Sequence, residues 1–288
     1  MLTISPTPGV AFGKTPTLTD AKPIRNAAVQ ALLQELITYP KPGLVSLVDT
    51  GSHADMDATS FVRSTLALRR YFEDAARSGS EGASFETLRQ LGLAAEARML
   101  RATRGVNTHR GAIFNLGLLA AAAGARRSAC SGAPMSTLGE YVNHTWGRAI
   151  AQHRRDATSH GSLVSDRHAV GGAPAEAAAG FRSVYRIGLP AYRAVLSHGG
   201  SANQARIQAF FELLARLDDT NLLHRGGPGG LAYARARAGV FLGEGGVFQP
   251  HWRERAVEVH RAFCVRRLSP GGSADLLAAC LFVHAIEA

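Results

Sequence analysis

Apolar residues recur at helical spacing through almost the whole chain, and no segment shows the apolar–polar alternation of a half-buried strand. That pattern constrains the fold more than any other feature: it predicts an all-α protein, a multi-helix bundle. The apolar stretch Ala112 to Ala125 runs 14 residues and is broken only by Asn115. A run of that length reads as a buried helix and is too short to cross a bilayer.

The periodicity predicts helices over Ile24 to Thr38, Asp57 to Arg77, Ser84 to Thr103 and Gly111 to Gly124. Thr137 and Glu140 have capping-box spacing and open a helix to His153. Further helices are expected over Ala175 to Ser197, Asn203 to Leu217, Gly229 to Phe241, His251 to Arg267 and Ser273 to Glu287. Residues 156 to 173 lack periodicity and read as a functional loop. Residues 1–20, rich in Pro and Thr, read as a loose tail, and 21–288 as one helical catalytic domain.

Thirty-two Lys and Arg against 22 Asp and Glu leave a formal charge of +10. Such a balance suits an anionic partner. The arginines are scattered rather than stacked on one helix face, and the conspicuous polar loops carry carboxylates, so a nucleic-acid-binding module fits poorly. Cys130, Cys264 and Cys280 are too few and too far apart for a disulfide framework or a cysteine-built zinc site. No signal pattern opens the chain, and a cytoplasmic enzyme is expected.

Four polar clusters lie in what read as inter-helix loops, where a rigid scaffold commonly carries its chemistry. In the first, Lys41 sits between two prolines and suits a phosphate, while His53, Asp55 and Asp57 follow at a helix start. Carboxylates two apart can share a magnesium ion, though a helix cap explains either of them equally well. In the second, Asn107, Thr108, His109 and Arg110 precede the apolar helix, whose terminal N–H groups attract anions. The third is Asp218 to Gly230, with Asp219, Asn221, His224 and Arg225 beside a glycine run in which Gly226 and Gly227 read as a phosphate cradle. The fourth opens the last helix, with Ser273 as substrate contact or N-cap and Asp275 as a helix-start acid. Together they suggest a polyphosphate held by Lys, Arg and helix N-termini, with magnesium bridging. The residue pattern alone also admits a metal-dependent nucleotide phosphohydrolase.

The same segments resemble the triphosphoribosyl-dephospho-CoA synthases. The matching stretches are PKPGLVS at 40–46, GSHADMD at 51–57, TRGVNTHRGAIFNLGLL at 103–119, EAAAGF at 176–181, DTNLLHRGG at 219–227 and PGGSADLLA at 270–278. YPKPGLVS followed by VDTGSH is closer to the malonate decarboxylase branch than to the citrate lyase branch. Residues 171–176 (GGAPAE) depart from the family's more basic wording there.

The resemblance implies an all-α fold and transfer of the triphosphoribosyl group of ATP to 3′-dephospho-CoA, releasing adenine. The product is the precursor of an acyl carrier subunit's prosthetic group. On that reading Asp55, Asp57 and Asp219 are the expected metal ligands or base. His109, with His53 and His224, is the expected partner of the departing adenine, and Lys41, Arg110 and Arg225 the expected phosphate clamps. A homodimer is the expected assembly.

Overall fold

The computed structural model describes residues 20–128, 137–153 and 170–288. Cys130, His160, Gly161, most of the 156–173 loop and all but the last residue of the expected tail lie outside the described residues. Among the described residues there are eleven α-helices, one π-helical turn and one 3₁₀ turn, and no strand, as the periodicity requires.

The helix α1 (Lys22–Ile37) is followed by an irregular segment to Asp57, then by α2 (Ala58–Ser80), α3 (Phe85–Ala102) and α4 (Arg110–Ser128). Asp57 and Ser84 cap α2 and α3 through their side chains. α4 is buried almost all round from Ala112 to Ala125, which places it in the centre of the molecule. α2 packs closely along it. At their crossing a Cβ on Gly79 would strike the Ala121 carbonyl, and one on Gly124 the Ala76 carbonyl, so both positions must be glycine for the helices to come this close.

α5 (Leu138–Gln152) opens with the expected capping box: Thr137 Oγ1 accepts the Glu140 N–H, and the Glu140 carboxylate accepts the Thr137 N–H. It packs on the short α6 (Gly172–Ala178). The single helix expected over Ala175 to Ser197 is instead broken. Gly180 and Phe181 both take positive φ, and a π-helical turn (Val184–Gly188) leads into α7 (Leu189–Ser197). Pro190 has no N–H to give to the Arg186 carbonyl, and the Leu189 N–H reaches back to Val184 instead.

The chain continues through α8 (Ala202–Arg216), α9 (Thr220–Gly243), the 3₁₀ turn (Gly246–Phe248), α10 (Trp252–Val265) and α11 (Gly271–Glu287). α9 begins nine residues before the expected Gly229 and kinks at Gly227, at φ 59°. The glycine run is therefore a bend inside a helix rather than a loop. α11 packs on both α4 and α1, so α1, α2, α4 and α11 form one packed group. Among the described residues no helix is long and apolar enough to cross a membrane.

Candidate active site

A cavity of about 940 Å³ opens where the N-terminal ends of α4, α9 and α11 come together with the segment before α2. That is the upper end of the range for small-molecule sites. Part of its lining is apolar, supplied by Tyr71, Phe85, Leu88, Leu93, Phe114 and Leu118 of α2, α3 and α4.

Ten of the residues expected from sequence line this cavity: His53, Asp55, Asn107, Thr108 and His109, then Arg110, Asp219, Asn221, His224 and Arg225. They come from segments up to 172 residues apart, as in the contact between Arg225 and His53. Asn107 Oδ1 accepts the Arg110 N–H and so starts α4. The Arg110 guanidinium pairs with Glu96, which also faces the cavity. Arg89 and Arg216 bring the lining arginines to four.

Arg225 is held by the carbonyls of Ser52 and Arg267, each at 3.4 Å, and by His53 Nδ1 at 3.1 Å. Because Nδ1 accepts from Arg225, the proton of a neutral His53 resides on Nε2, which lies 2.8 Å from Ser269 Oγ. Burial and the neighbouring Arg225 charge lower the His53 pKa and keep that neutral form. His53 thus orients Arg225, with both ring nitrogens engaged, and does not fit the expected role of proton donor.

Five other expected site residues do not reach the cavity. Lys41 is 1% exposed, and its ammonium pairs with Glu35 inside the protein. The whole run Pro40 to Ser46 is buried, so the stiff loop is a wedge in the core and Lys41 is no phosphate clamp. Asp57 Oδ1 accepts both the N–H and the hydroxyl of Ser60, each at 2.8 Å, and caps α2 away from the cavity. Gly226 and Gly227 belong to the bend in α9, and Ser273 is fully buried.

Asp219 lines the cavity but is only 1% exposed. Oδ1 accepts the N–H groups of Asn221 and Leu222, while Oδ2 accepts the N–H and hydroxyl of Ser273. One carboxylate therefore ties the start of α9 to the start of α11. Burial raises its pKa, and those four hydrogen bonds pull it back. Among the described residues no three His, Cys, Asp or Glu side chains are grouped to hold a metal ion. The expected metal set of Asp55, Asp57 and Asp219 is corrected accordingly: the three carboxylates are not brought together, Asp57 capping α2 outside the cavity and both Asp219 oxygens accepting from helix amides and the Ser273 hydroxyl.

Among the carboxyl groups lining the cavity, the most strongly perturbed is Asp275, which the sequence offered only as a helix-start acid. α11 begins at Gly271, which puts Asp275 past the first turn and against the N-terminus of α4. It accepts a bond from the Ala112 N–H, and a Cβ on Gly111 would collide with its Oδ2. Burial, with Glu35 and Asp219 nearby, pushes its pKa well above the usual carboxylate range. Glu35 faces the same cavity from the last turn of α1, where nothing in the local sequence distinguishes it from a surface glutamate.

His109 is 3% exposed, and its Nδ1 lies 2.6 Å from Ser64 Oγ of α2. Burial, reinforced by the Lys41 charge, holds its pKa down at about 3, so the ring is neutral at working pH. The sequence-based role of proton donor titrating near neutrality is withdrawn for this residue.

Fold and cavity define an all-helical enzyme whose pocket is assembled from helix N-termini, arginines and carboxyl groups, among them Asp275 with its strongly raised pKa. The sequence profile of the CitG family, ATP:dephospho-CoA triphosphoribosyl transferase, matches residues 21–288. The chain belongs to this triphosphoribosyl-dephospho-CoA synthase family. It is 38% identical over 258 residues to a probable 2-(5″-triphosphoribosyl)-3′-dephosphocoenzyme-A synthase of Acinetobacter calcoaceticus, covering 89% of this chain and 88% of that one. It is 36% identical over 278 residues to the synthase of Escherichia fergusonii, covering 93% and 92%. The Klebsiella pneumoniae synthase is 38% identical over 280 residues, with the same coverage. No solved structure matches the chain.

Proposed function

We propose that this cavity transfers the triphosphoribosyl group of ATP to the ribose 2′-hydroxyl of 3′-dephospho-CoA and releases adenine. The observation that carries the reading is the convergence of four arginines, three helix N-termini and the half-buried Asp275 on one cavity large enough for two nucleotides. Cations and helix N-termini hold phosphates, and a carboxyl group serves a reaction at an anomeric carbon.

In this reading Arg110 and Arg225 hold phosphates, with Asn107, Thr108, Asn221 and His224 around them. Asp275, protonated at rest, gives its proton to adenine as the C1′–N9 bond breaks. The resulting carboxylate faces the oxocarbenium-like carbon and then takes the proton of the attacking hydroxyl as the new C–O bond forms. The net change moves one proton from hydroxyl to adenine and leaves the triphosphate intact. Asp55 stands at the rim of the cavity beside His53 and Arg225, and magnesium enters as the counter-ion of the ATP polyphosphate rather than at a preformed site.

The product serves malonate decarboxylase rather than citrate lyase, through later attachment to its acyl carrier subunit by another transferase. The wording of residues 39–53 supports that branch. The enzyme works in the cytoplasm, as a homodimer.

The test is incubation of the full chain with ATP, magnesium and dephospho-CoA, followed by chromatography. Equal amounts of adenine and triphosphoribosyl adduct are expected; phosphate or pyrophosphate without adenine overturns the reading. Inactivating the gene in its source cell should leave the malonate decarboxylase carrier without its prosthetic group. An unmodified citrate lyase carrier instead would reassign the branch.

A further inference from the structure

Ser64 and His109 form a buried pair that the transfer just described does not use. Ser64 is fully buried on α2, and the 2.6 Å contact to His109 Nδ1 is the hydrogen bond its hydroxyl makes among the described residues. Thr108 Oγ1 lies farther from the same nitrogen, at 3.4 Å. The opposite ring nitrogen, Nε2, is enclosed and has no hydrogen-bond partner among the described residues. Phe61 packs edge-on against the ring at 4.9 Å, and both side chains line the cavity.

Hydrogen-bond accounting fixes the tautomer. If Nδ1 carried the proton, the Ser64 hydroxyl hydrogen and the Nε2 lone pair would both be buried without partners. With Ser64 donating to Nδ1, a single group is left over, the Nε2–H, and it belongs to a residue that faces the cavity. A native interior seldom leaves such a donor unmatched unless an ordered water or a ligand completes it, and here the residue that carries it lines the cavity.

We propose that Ser64 is a positioning residue that locks His109 as the Nε2–H tautomer, and that this N–H donates a hydrogen bond to a ring nitrogen of the departing purine. The inference rests on the triphosphoribosyl transfer proposed above. Breaking the bond to N9 spreads the released electron pair over the purine ring nitrogens, N3 and N7 among them. A fixed neutral donor beside one of them strengthens as that charge develops. His109 keeps its proton throughout, so the proton balance through Asp275 is unchanged.

Two readouts test this. In full-length protein labelled with ¹⁵N at histidine, His109 should show a protonated Nε2 and an unprotonated Nδ1. An Nδ1–H tautomer overturns the proposal whatever the enzyme's activity. Turnover is then measured for wild type, S64A and S64T with ATP, 7-deaza-ATP and 3-deaza-ATP. S64A should lower kcat by about tenfold with ATP, the size of one neutral hydrogen bond, with little change in KM. S64T, which keeps the hydroxyl, should recover most of it. One deaza analogue should slow the wild type yet be turned over equally by wild type and S64A, which names the nitrogen contacted. Equal S64A defects with all three nucleotides overturn the proposal. A wild type that turns over ATP but releases no adenine sinks the transfer reading itself, and the two failures remain distinct.

Discussion

Gly111 lacks the one atom that would displace the Asp275 carboxyl group from the N-terminus of α4. The pairing joins two segments 164 positions apart, one opening α4 and one in α11, and sets the only carboxyl group here that is both strongly perturbed and open to the cavity among the described residues.

Replacing Gly111 with alanine should therefore damage activity more than folding. Alanine is the better helix former, so the melting temperature should hold or fall slightly. Turnover should drop about a hundredfold, as expected when a reacting group is moved by about 1 Å. Adenine release and a thermal melt on the same sample decide it, and wild-type turnover in G111A would show that the carboxyl position does not matter.

Asp275→Asn should separate stability from function through pH. The folded protein holds the Asp275 proton more tightly than the unfolded chain does. The stability this gives is complete below the ordinary carboxylate pKa of about 4 and is lost as pH rises through the raised folded value. The wild type loses stability over that window and the variant does not. D275N should then melt higher than wild type near neutrality, match it in acid, and release almost no adenine. Equal melting temperatures at every pH would refute the perturbed state of this group.

Lys41 should behave as a core residue. Lys41→Met leaves the Glu35 charge buried alone, which costs about 3–5 kcal/mol. The double variant with Glu35→Gln should regain much of that loss in denaturant unfolding. A stable K41M with weakened ATP binding would restore Lys41 as a phosphate ligand.

Arg225→Ala and His53→Ala should both raise KM for ATP with the fold intact, the histidine acting through the arginine. Combined, the two changes should cost little more than R225A alone, because residues in one hydrogen-bond network are not additive. Full additivity in steady-state kinetics would separate the two roles. Asp57→Asn, by contrast, should leave turnover unchanged, since asparagine caps a helix as well as aspartate does.

The all-α fold, most helix positions and the segments around the cavity were legible because periodicity and capping residues act locally. Thr137 with Glu140, and Asn107 before α4, carry their geometry in their spacing. The direction each polar side chain takes was not legible, since it depends on segments far away. Lys41 sits beside prolines as a surface clamp would, yet Glu35 and the surrounding core draw it inward. Asp219 and Ser273, read as ligands, satisfy each other across 54 residues. Asp275 looked like a cap until the position of α4 showed that it faces Gly111. Ser64 gave no signal, because an isolated serine in an amphipathic helix has none to give until His109 stands against it.

Photolabelling tests most directly whether this cavity is the nucleotide site. The full chain is irradiated with 8-azido-ATP, digested, and the labelled peptides identified with and without excess ATP and dephospho-CoA. Label should fall on peptides covering residues 107–118 and 269–278 and be displaced by both nucleotides. Label concentrated on α10, on the outer face around Arg253 and Arg261, and displaced by ATP would place the nucleotide elsewhere and contradict the account.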